Sequence, residues 1–381
     1  MPIIIMRLTY KDKIEASDVL AFKAKKVFKG DTSLLRLKGE INRLLFQGDN
    51  FEVMQSLIDE HKWAGIIDLV YIDPPFSTNT VFRIDDARVS TISAGKNDRI
   101  AYADRLKGAE FLEFLRQRLI LIRELMSDKA SIYLHIDYKV GHYVKIIMDE
   151  VFGAENFRND ITRIKCNPKN FQRKGYGNIK DLILFYTKTD NFTWNEPMES
   201  RADEELERLF NKTDKDGRRY ATNPLHAPGE TENGKTGQEW NGVKPPKGRH
   251  WRYAPGILDE LEKKGLIEWS KNGVPRKKIY AEDCQTKRVQ DIWEYKDKPN
   301  PVYPTEKNLE LLERIINISS KKGDLVMDCF CGSGGFLYAA EKLGRRWIGA
   351  DASDEAIKIT TGRFDEKGNL FQRKEISKLT L

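Results

Sequence analysis

The chain predicts an α/β fold, a mostly parallel sheet with helices on both faces, carrying an inserted loop-rich domain. Three observations lead there. Short apolar runs rich in Ile, Leu, Val and aromatics, each ended by Gly, Asp or Pro, read as buried strands. Helical patterns lie between them, and strand alternating with helix favours parallel pairing with both faces covered. From about Arg158 to Pro301 that rhythm weakens while Gly, Pro, Asn, Lys and Trp accumulate. So long an irregular stretch in a compact chain is expected only where it has a function.

In order, strands are expected over 43–47, 66–72, 131–136, 181–186, 324–327 and 346–349. Helices are expected over 51–60, where Asp49 or Asn50 can cap the start, and over 110–126, with Leu and Ile at three- and four-residue steps between Arg and Glu. The same spacing predicts helices over 309–318 and 336–343. The expected parts are a basic arm over 1–42, with Lys23, Lys25, Lys26 and Lys29, and one half of the α/β domain over 43–157. The insert follows over 158–300, the second half over 301–365 and a tail over 366–381.

Composition removes several classes of function. The chain has 381 residues with 65 Lys and Arg against 58 Asp and Glu, a net charge of +7 that permits nucleic-acid contact without requiring it. No apolar run approaches the ~18 residues a membrane span needs, so no membrane partner is expected. The first residues lack a basic stretch ahead of their apolar run and make a poor signal peptide. Four cysteines without a CxxC pair, and five scattered histidines, argue against a disulfide framework and against a metal site, and fit reduced thiols in the cytoplasm.

Two turns carry chemistry. In Asp68-Leu69-Val70-Tyr71-Ile72-Asp73-Pro74-Pro75-Phe76 a buried strand runs into an acid, two prolines and an aromatic, where ligands of open α/β sheets bind. The prolines stiffen the turn and remove N–H donors. Asp73 and the Pro74 carbonyl form a rigid acceptor pair for an amino group, with Phe76 able to stack on a flat ring. In Asp328-Cys329-Phe330-Cys331-Gly332-Ser333-Gly334-Gly335 a strand turns into a helix through small residues that let a ligand approach backbone N–H groups. Leu337 occupies the position where a GxGxxG dinucleotide fingerprint needs its third glycine, so a nicotinamide oxidoreductase is disfavoured. Asp351 ends the next strand, where such units hold a ribose diol.

These residues resemble a known family. Asp73-Pro74-Pro75-Phe76 is similar to the DPPY/DPPF motif of S-adenosylmethionine-dependent amino-DNA methyltransferases, Phe330-Cys331-Gly332-Ser333-Gly334 to their FxGxG motif, and Tyr303-Pro304-Thr305-Glu306-Lys307 to the HPTxKP segment before it. Catalytic motif first and cofactor motif later is the β-class order, which includes modification subunits of type III restriction systems. The resemblance implies a Rossmann-like methyltransferase sheet with an inserted target-recognition domain, S-adenosylmethionine as cofactor and adenine N6 in double-stranded DNA as the methylated atom. It implies that Asp73 and Pro74 bind the amino group, beside Pro75, while Phe76 stacks on an extruded base. Ser333 with the Gly332–Gly334 backbone would hold the methionine part of the cofactor and Asp351 its ribose, with Asp73, Asp328, Phe330 and Gly335 also against the cofactor. Asp49 and Asn50 would lie near its adenine, and Tyr303, Thr305 and Lys307 near its methionine end. Tyr303, Asn308 and Gly335 stand where the family usually has His, Pro and Thr.

DNA contact is expected from the insert, where Arg163, Lys165, Lys169, Arg173 and Lys174 form one basic cluster and Arg249, Trp251 and Arg252 belong to a second. The implied setting is the nucleoid, with a cognate restriction endonuclease and a second copy of the chain as further partners. The nearest alternative is the N4 amino group of cytosine, whose enzymes more often begin the tetrapeptide with Ser. Enzymes acting on protein glutamine or RNA usually begin it with Asn, and cytosine-C5 chemistry would need a Pro-Cys nucleophile that this chain lacks. A non-catalytic DNA-binding subunit is the alternative of another class, disfavoured by the intact tetrapeptide.

Overall fold

The computed structural model describes residues 6–23, 26–28, 43–75, 81–85, 88–90, 99–103, 108–168, 174–231, 233–297, 306–365 and 372–378. The chain divides into two compact units, one of residues 1–195 with 290–381 and one of residues 196–289.

In the first unit a ten-stranded sheet runs in the order Lys26–Phe28, Gln372–Lys378, Arg43–Gln47, Arg346–Asp351, Leu325–Asp328, Ile67–Ile72, Met126–Ile136, Lys180–Thr187, Phe157–Ile164, Ile292–Glu294. Pairing is parallel from Gln372–Lys378 through Met126–Ile136, while Lys180–Thr187 runs antiparallel to both its neighbours. The central strands, such as Ile67–Ile72 and Leu325–Asp328, are largely apolar because both faces are covered. Leu44, Phe46, Val70, Ile72, Ile132 and Leu134 pack on one face with apolar residues of the helices Asn50–Asp59, Gly108–Leu125 and Gly141–Phe152. On the other face the Tyr133 hydroxyl meets Ser319 Oγ of the helix Leu309–Ser319, and Tyr71 stacks on Phe336 of the helix Gly335–Lys342. Each fully buried aliphatic side chain contributes roughly 1.5–3 kcal/mol.

Strand order brings distant sequence together. Leu325–Asp328 lies between Arg346–Asp351 and Ile67–Ile72, with Val326 opposite Leu69 and Met327 opposite Val70. Asp73, Asp328 and Asp351 therefore emerge side by side at the carboxyl ends of three neighbouring strands.

The insert needs two corrections. Its expected boundary at 158 is too early. Phe157–Ile164 and Lys180–Thr187 are strands of the large sheet, and Ile292–Glu294 rejoins it. The second unit, residues 196–289, is also better built than a loop-rich stretch. A four-stranded antiparallel sheet of Lys212–Thr213, Arg219–Pro224, Pro275–Tyr280 and Ile267–Trp269 carries it. Leu225, Trp240, Trp251 and Leu258 form one small core, and Leu206, Phe210 and Ala281 another. Strands of two to six residues and cores of three or four side chains leave little period to read in a sequence.

Candidate active site

The two turns singled out in the sequence line one cavity of about 290 Å³ in the first unit. Its wall includes Asp73, Pro74 and Pro75 from the first turn, Asp328, Phe330, Gly332, Ser333 and Gly335 from the second, and Asp49, Asn50, Lys307 and Asp351. Phe76, Tyr303 and Thr305 lie outside the described residues, as do Lys169 and Arg173.

The Gly-rich turn is shaped for close approach. Gly334 caps the helix Gly335–Lys342 in the left-handed region, at φ 73°, and a Cβ there would come within 2.7 Å of Thr360 Cγ2. No side chain caps that helix, so its first N–H groups are left to a ligand. Asp351 braces the turn from the next strand, accepting from Gly332 N–H and Ser353 N–H, each at 2.9 Å.

Asp73 sits in an asymmetric setting. Its Oδ2 is 2.5 Å from Lys307 Nζ, whereas its buried Oδ1 has no hydrogen-bond partner. Placing a bare carboxylate oxygen out of water is costly, and such an atom is a ready acceptor for a ligand N–H. Lys307, expected near the cofactor's methionine end, lines the cavity and pairs with the acid of the tetrapeptide.

Charge around the cavity is lopsided. Arg118 pairs with Asp49, Lys307 with Asp73, and Arg363 with Glu306. Asp328 and Asp351 have no cationic partner among the described residues. Burial pushes the Asp328 carboxyl well above its ordinary value, and the charges of Asp73 and Asp351 add to the rise against the opposing Phe330 N–H bond and the nearby charge of Lys307. Burial raises Asp351 as well, against its own backbone hydrogen bonds. A wall of this kind suits a ligand bearing positive charge, which relieves the crowded carboxylates. Burial likewise raises the Cys329 and Cys331 thiols, so neither is poised as a thiolate nucleophile.

Several residues that matter here gave no motif signal. Arg118, buried in the Leu-rich helix, donates from Nη2 to Asp49 Oδ1 at 2.8 Å and from Nε to Asn50 Oδ1 at 2.5 Å, while Asn50 Nδ2 donates to the Cys329 carbonyl at 2.7 Å. Asp49 and Asn50 are thereby tied into the wall itself. The Arg118 guanidinium lies 3.5 Å from the centre of the Phe114 ring, and Phe114 approaches Phe330 with ring centres 6.2 Å apart, giving the cavity an aromatic side. Leu312, Phe336, Ala352 and Ser353 also line the cavity, with Tyr71 and Glu306 from within the quoted motifs.

Two residues expected to meet DNA are structural. Arg163 is 1% exposed, donates to the Tyr295 carbonyl at 2.9 Å and pairs with Asp297 at 2.5 Å. Trp251 is fully buried in the second unit's core, its indole N–H on the Gln238 carbonyl at 3.0 Å. Lys165, half-buried, pairs with Asp181 at 2.6 Å. Lys174, Arg249 and Arg252 remain exposed. Among the described residues no helix is long and apolar enough to cross a membrane, and no cluster of His, Cys, Asp and Glu could hold a metal ion.

Residues 67–362 match the N6/N4 methyltransferase family of DNA methylases. The chain is similar to the type II methyltransferase M.EcaI of Enterobacter cloacae, 39% identical over 371 residues that cover 94% of this chain and 77% of that one. It is also similar to the type III restriction-modification enzyme StyLTI Mod subunit of Salmonella typhimurium, 24% identical over 84% of this chain and 54% of the other, so it spans about half the length of that subunit. Among solved structures the M1.HpyAVI–SAM complex aligns with a TM-score of 0.43 at 16% identity, over 84% of this chain and 99% of that one.

Proposed function

Because this chain belongs to the N6/N4 family of DNA methylases, which use S-adenosylmethionine, we propose that it methylates the N6 amino group of adenine in double-stranded DNA as part of a restriction–modification system. The observation that carries the reading is the free, buried Oδ1 of Asp73 at the mouth of a rigid Asp-Pro-Pro turn, opposite the Gly-rich turn of the same cavity.

S-adenosylmethionine, when bound, supplies an electrophilic methyl group on a positively charged sulfur. The Gly332–Gly335 backbone and Ser333 would hold its methionine part, Asp351 its ribose, and the Phe114–Phe330 side its adenine. The excess of carboxylates fits its positive charge. Asp73 Oδ1 and the Pro74 carbonyl accept the two N–H bonds of the target amino group, drawing its nitrogen towards a pyramidal geometry with a localised lone pair. Lys307 Nζ, 2.5 Å from Oδ2, pairs with the Asp73 carboxylate, whose oxygens only accept hydrogen bonds. Placement and preorganised electrostatics then account for catalysis. The base must leave the duplex to reach the cavity, at a cost of a few kcal/mol.

Asp at the head of the tetrapeptide, rather than the Ser more frequent in cytosine-N4 enzymes, supports adenine. DNA contact falls to cations that make no ion pair among the described residues. In the second unit Arg249, Arg252 and Arg276 surround His226, bonded to neutral acceptors (Arg249 to His226, Arg252 to the Pro224 carbonyl, Arg276 to Thr222), and in the first unit Lys174 lies exposed near the fully exposed Tyr176. Such an enzyme would work in the cytoplasm, beside the chromosome. Incubating the protein with unmethylated DNA and the methyl donor, followed by single-molecule sequencing, tests the reading. N6-methyladenine in a fixed sequence context is expected, whereas N4-methylcytosine, or no modification by folded protein, overturns it.

A further inference from the structure

A line of buried polar side chains crosses the carboxyl end of the large sheet beside the cavity. Tyr71 precedes Asp73 by two residues, shares its face of the strand and lines the same wall. Its hydroxyl is 3.1 Å from His135 Nδ1. His135 Nε2 is 3.3 Å from Asp181 Oδ2, and the other oxygen of that carboxylate accepts from Lys165 Nζ at 2.6 Å. Arg163 Nη1 stands 3.6 Å from Asp181 Oδ2. Tyr71, His135 and Asp181 are each no more than 3% exposed. Apolar side chains of similar volume would usually be no less stable than such a set, so a packing role leaves the line unexplained.

Protons along the line can be assigned from charge. Burial alone would raise the Asp181 carboxyl, but the hydrogen bonds from His135 and Lys165 and the charge of Lys165 hold it well below the usual carboxylate range. As an anion it only accepts, so His135 Nε2 carries a proton and donates to it. Burial first, and then the charge of Lys307, lowers His135 below its ordinary value, so the ring is neutral and Nδ1 is an acceptor. Burial and the charges of Asp73 and Asp328 keep the Tyr71 phenol protonated. Its single proton therefore goes to Nδ1, and its lone pairs are left for another group. Stacking on Phe336, with ring centres 5.2 Å apart, keeps the phenol ring in place.

We propose that Tyr71, with His135 and Asp181 as positioning residues acting through it, presents a fixed oxygen acceptor beside Asp73 and Asp328, and so biases the cavity towards the charged sulfonium donor over its neutral thioether product. The inference rests on the reading of this cavity as the S-adenosylmethionine site. It adds a reason for the buried line: a product that lacks the positive charge gains least from an oxygen held lone-pair outward, and leaves.

Calorimetric binding of S-adenosylmethionine and of S-adenosylhomocysteine to the full chain, without DNA, tests this. The ratio of the two affinities should fall about three- to tenfold in Tyr71→Phe through loss of donor affinity, with product affinity unchanged. His135→Leu should behave likewise, because the phenol proton would then turn towards the carboxylates, while His135→Gln, whose amide oxygen can accept that proton, should keep most of the ratio. In the unmodified protein the ratio should fall on acidification below pH ~6.5, as His135 gains a proton on Nδ1. Tyr71 and Asp181 face that ring directly, Lys307 and Asp73 through space, and Lys165 and Arg163 stand behind Asp181. Equal ratios in the parent and in folded Tyr71→Phe, or a ratio flat with pH, overturn the inference. No binding of either molecule by the unmodified protein would instead overturn the reading of the cavity.

Discussion

The two units use arginine in opposite ways. In the first, Arg116, Arg118, Arg163 and Arg345 are buried and spend their donors on internal acceptors, among them Glu150, Asp49, Asp297 and the Ser320 carbonyl. In the second, Arg201, Arg218, Arg219 and Arg288 each meet a glutamate, while Arg249, Arg252 and Arg276 gather around the half-buried His226 with no ion pair among the described residues. A buried guanidinium that spends its donors on internal acceptors is part of the frame. One beside two others, bonded only to neutral acceptors, leaves its charge uncompensated among the described residues. Counting basic residues along a sequence cannot separate these cases, because burial and partners arise only in three dimensions.

The comparison can be broken in a ranked set of experiments. The largest effect should come from the site to which the first unit's frame leads. Asp73→Ala should bring methyl transfer to the detection limit, beyond the ~10²–10³-fold loss typical of removing one preorganised group, and should still bind the methyl donor. Turnover equal to the parent would end the proposed role. Next, Arg163→Met should destabilise the first unit by about 3–5 kcal/mol, as expected for an opened buried ion pair, read as a shift in the denaturant midpoint. Arg249→Gln should shift that midpoint by no more than about 0.5 kcal/mol. If the two variants unfold alike, the contrast between frame and surface arginines fails.

A third experiment asks what the cluster around His226 binds. Arg249→Gln and Arg276→Gln should each flatten the log–log dependence of DNA affinity on salt by about one unit per lost phosphate contact. Affinity for the methyl donor should not move. The smallest effect concerns pH. The depressed basicity of His135 means that, below its ordinary value of 6.5, the unfolded chain binds a proton that the folded chain refuses. Stability should therefore decline as pH falls through about 6.5 and below. His135→Gln should lessen that slope, and an identical slope in the variant would assign the acid sensitivity elsewhere.

Much of the first unit was legible because long-range burial leaves a local mark. Ile67–Ile72 is apolar apart from Asp68, since both faces of a central strand are covered, and Asp73-Pro74-Pro75 follows it directly. The cavity's second wall was legible for the same reason, from Leu325–Asp328 and its glycines. Arg118 was hidden because one cation in an amphipathic helix looks solvent-facing until the helix is rolled onto its sheet. Arg163 and Trp251 misled for a related reason, since basic and aromatic residues crowded in an irregular stretch look the same whether they meet phosphate or fill a core. The line from Tyr71 to Asp181 spans 110 positions and three strands, and no local period records it.

Threading Leu325–Asp328 between two strands made more than 250 positions earlier or some twenty later has a consequence for synthesis. A chain still on the ribosome with only its first 300 residues exposed has Ile67–Ile72 bordered on a single side and no Gly-rich turn at all. The cavity therefore forms only once Leu325–Asp328 and the turn after it emerge and slot into the gap. Partial products of translation should be inert towards the donor and vulnerable to proteases along that open edge.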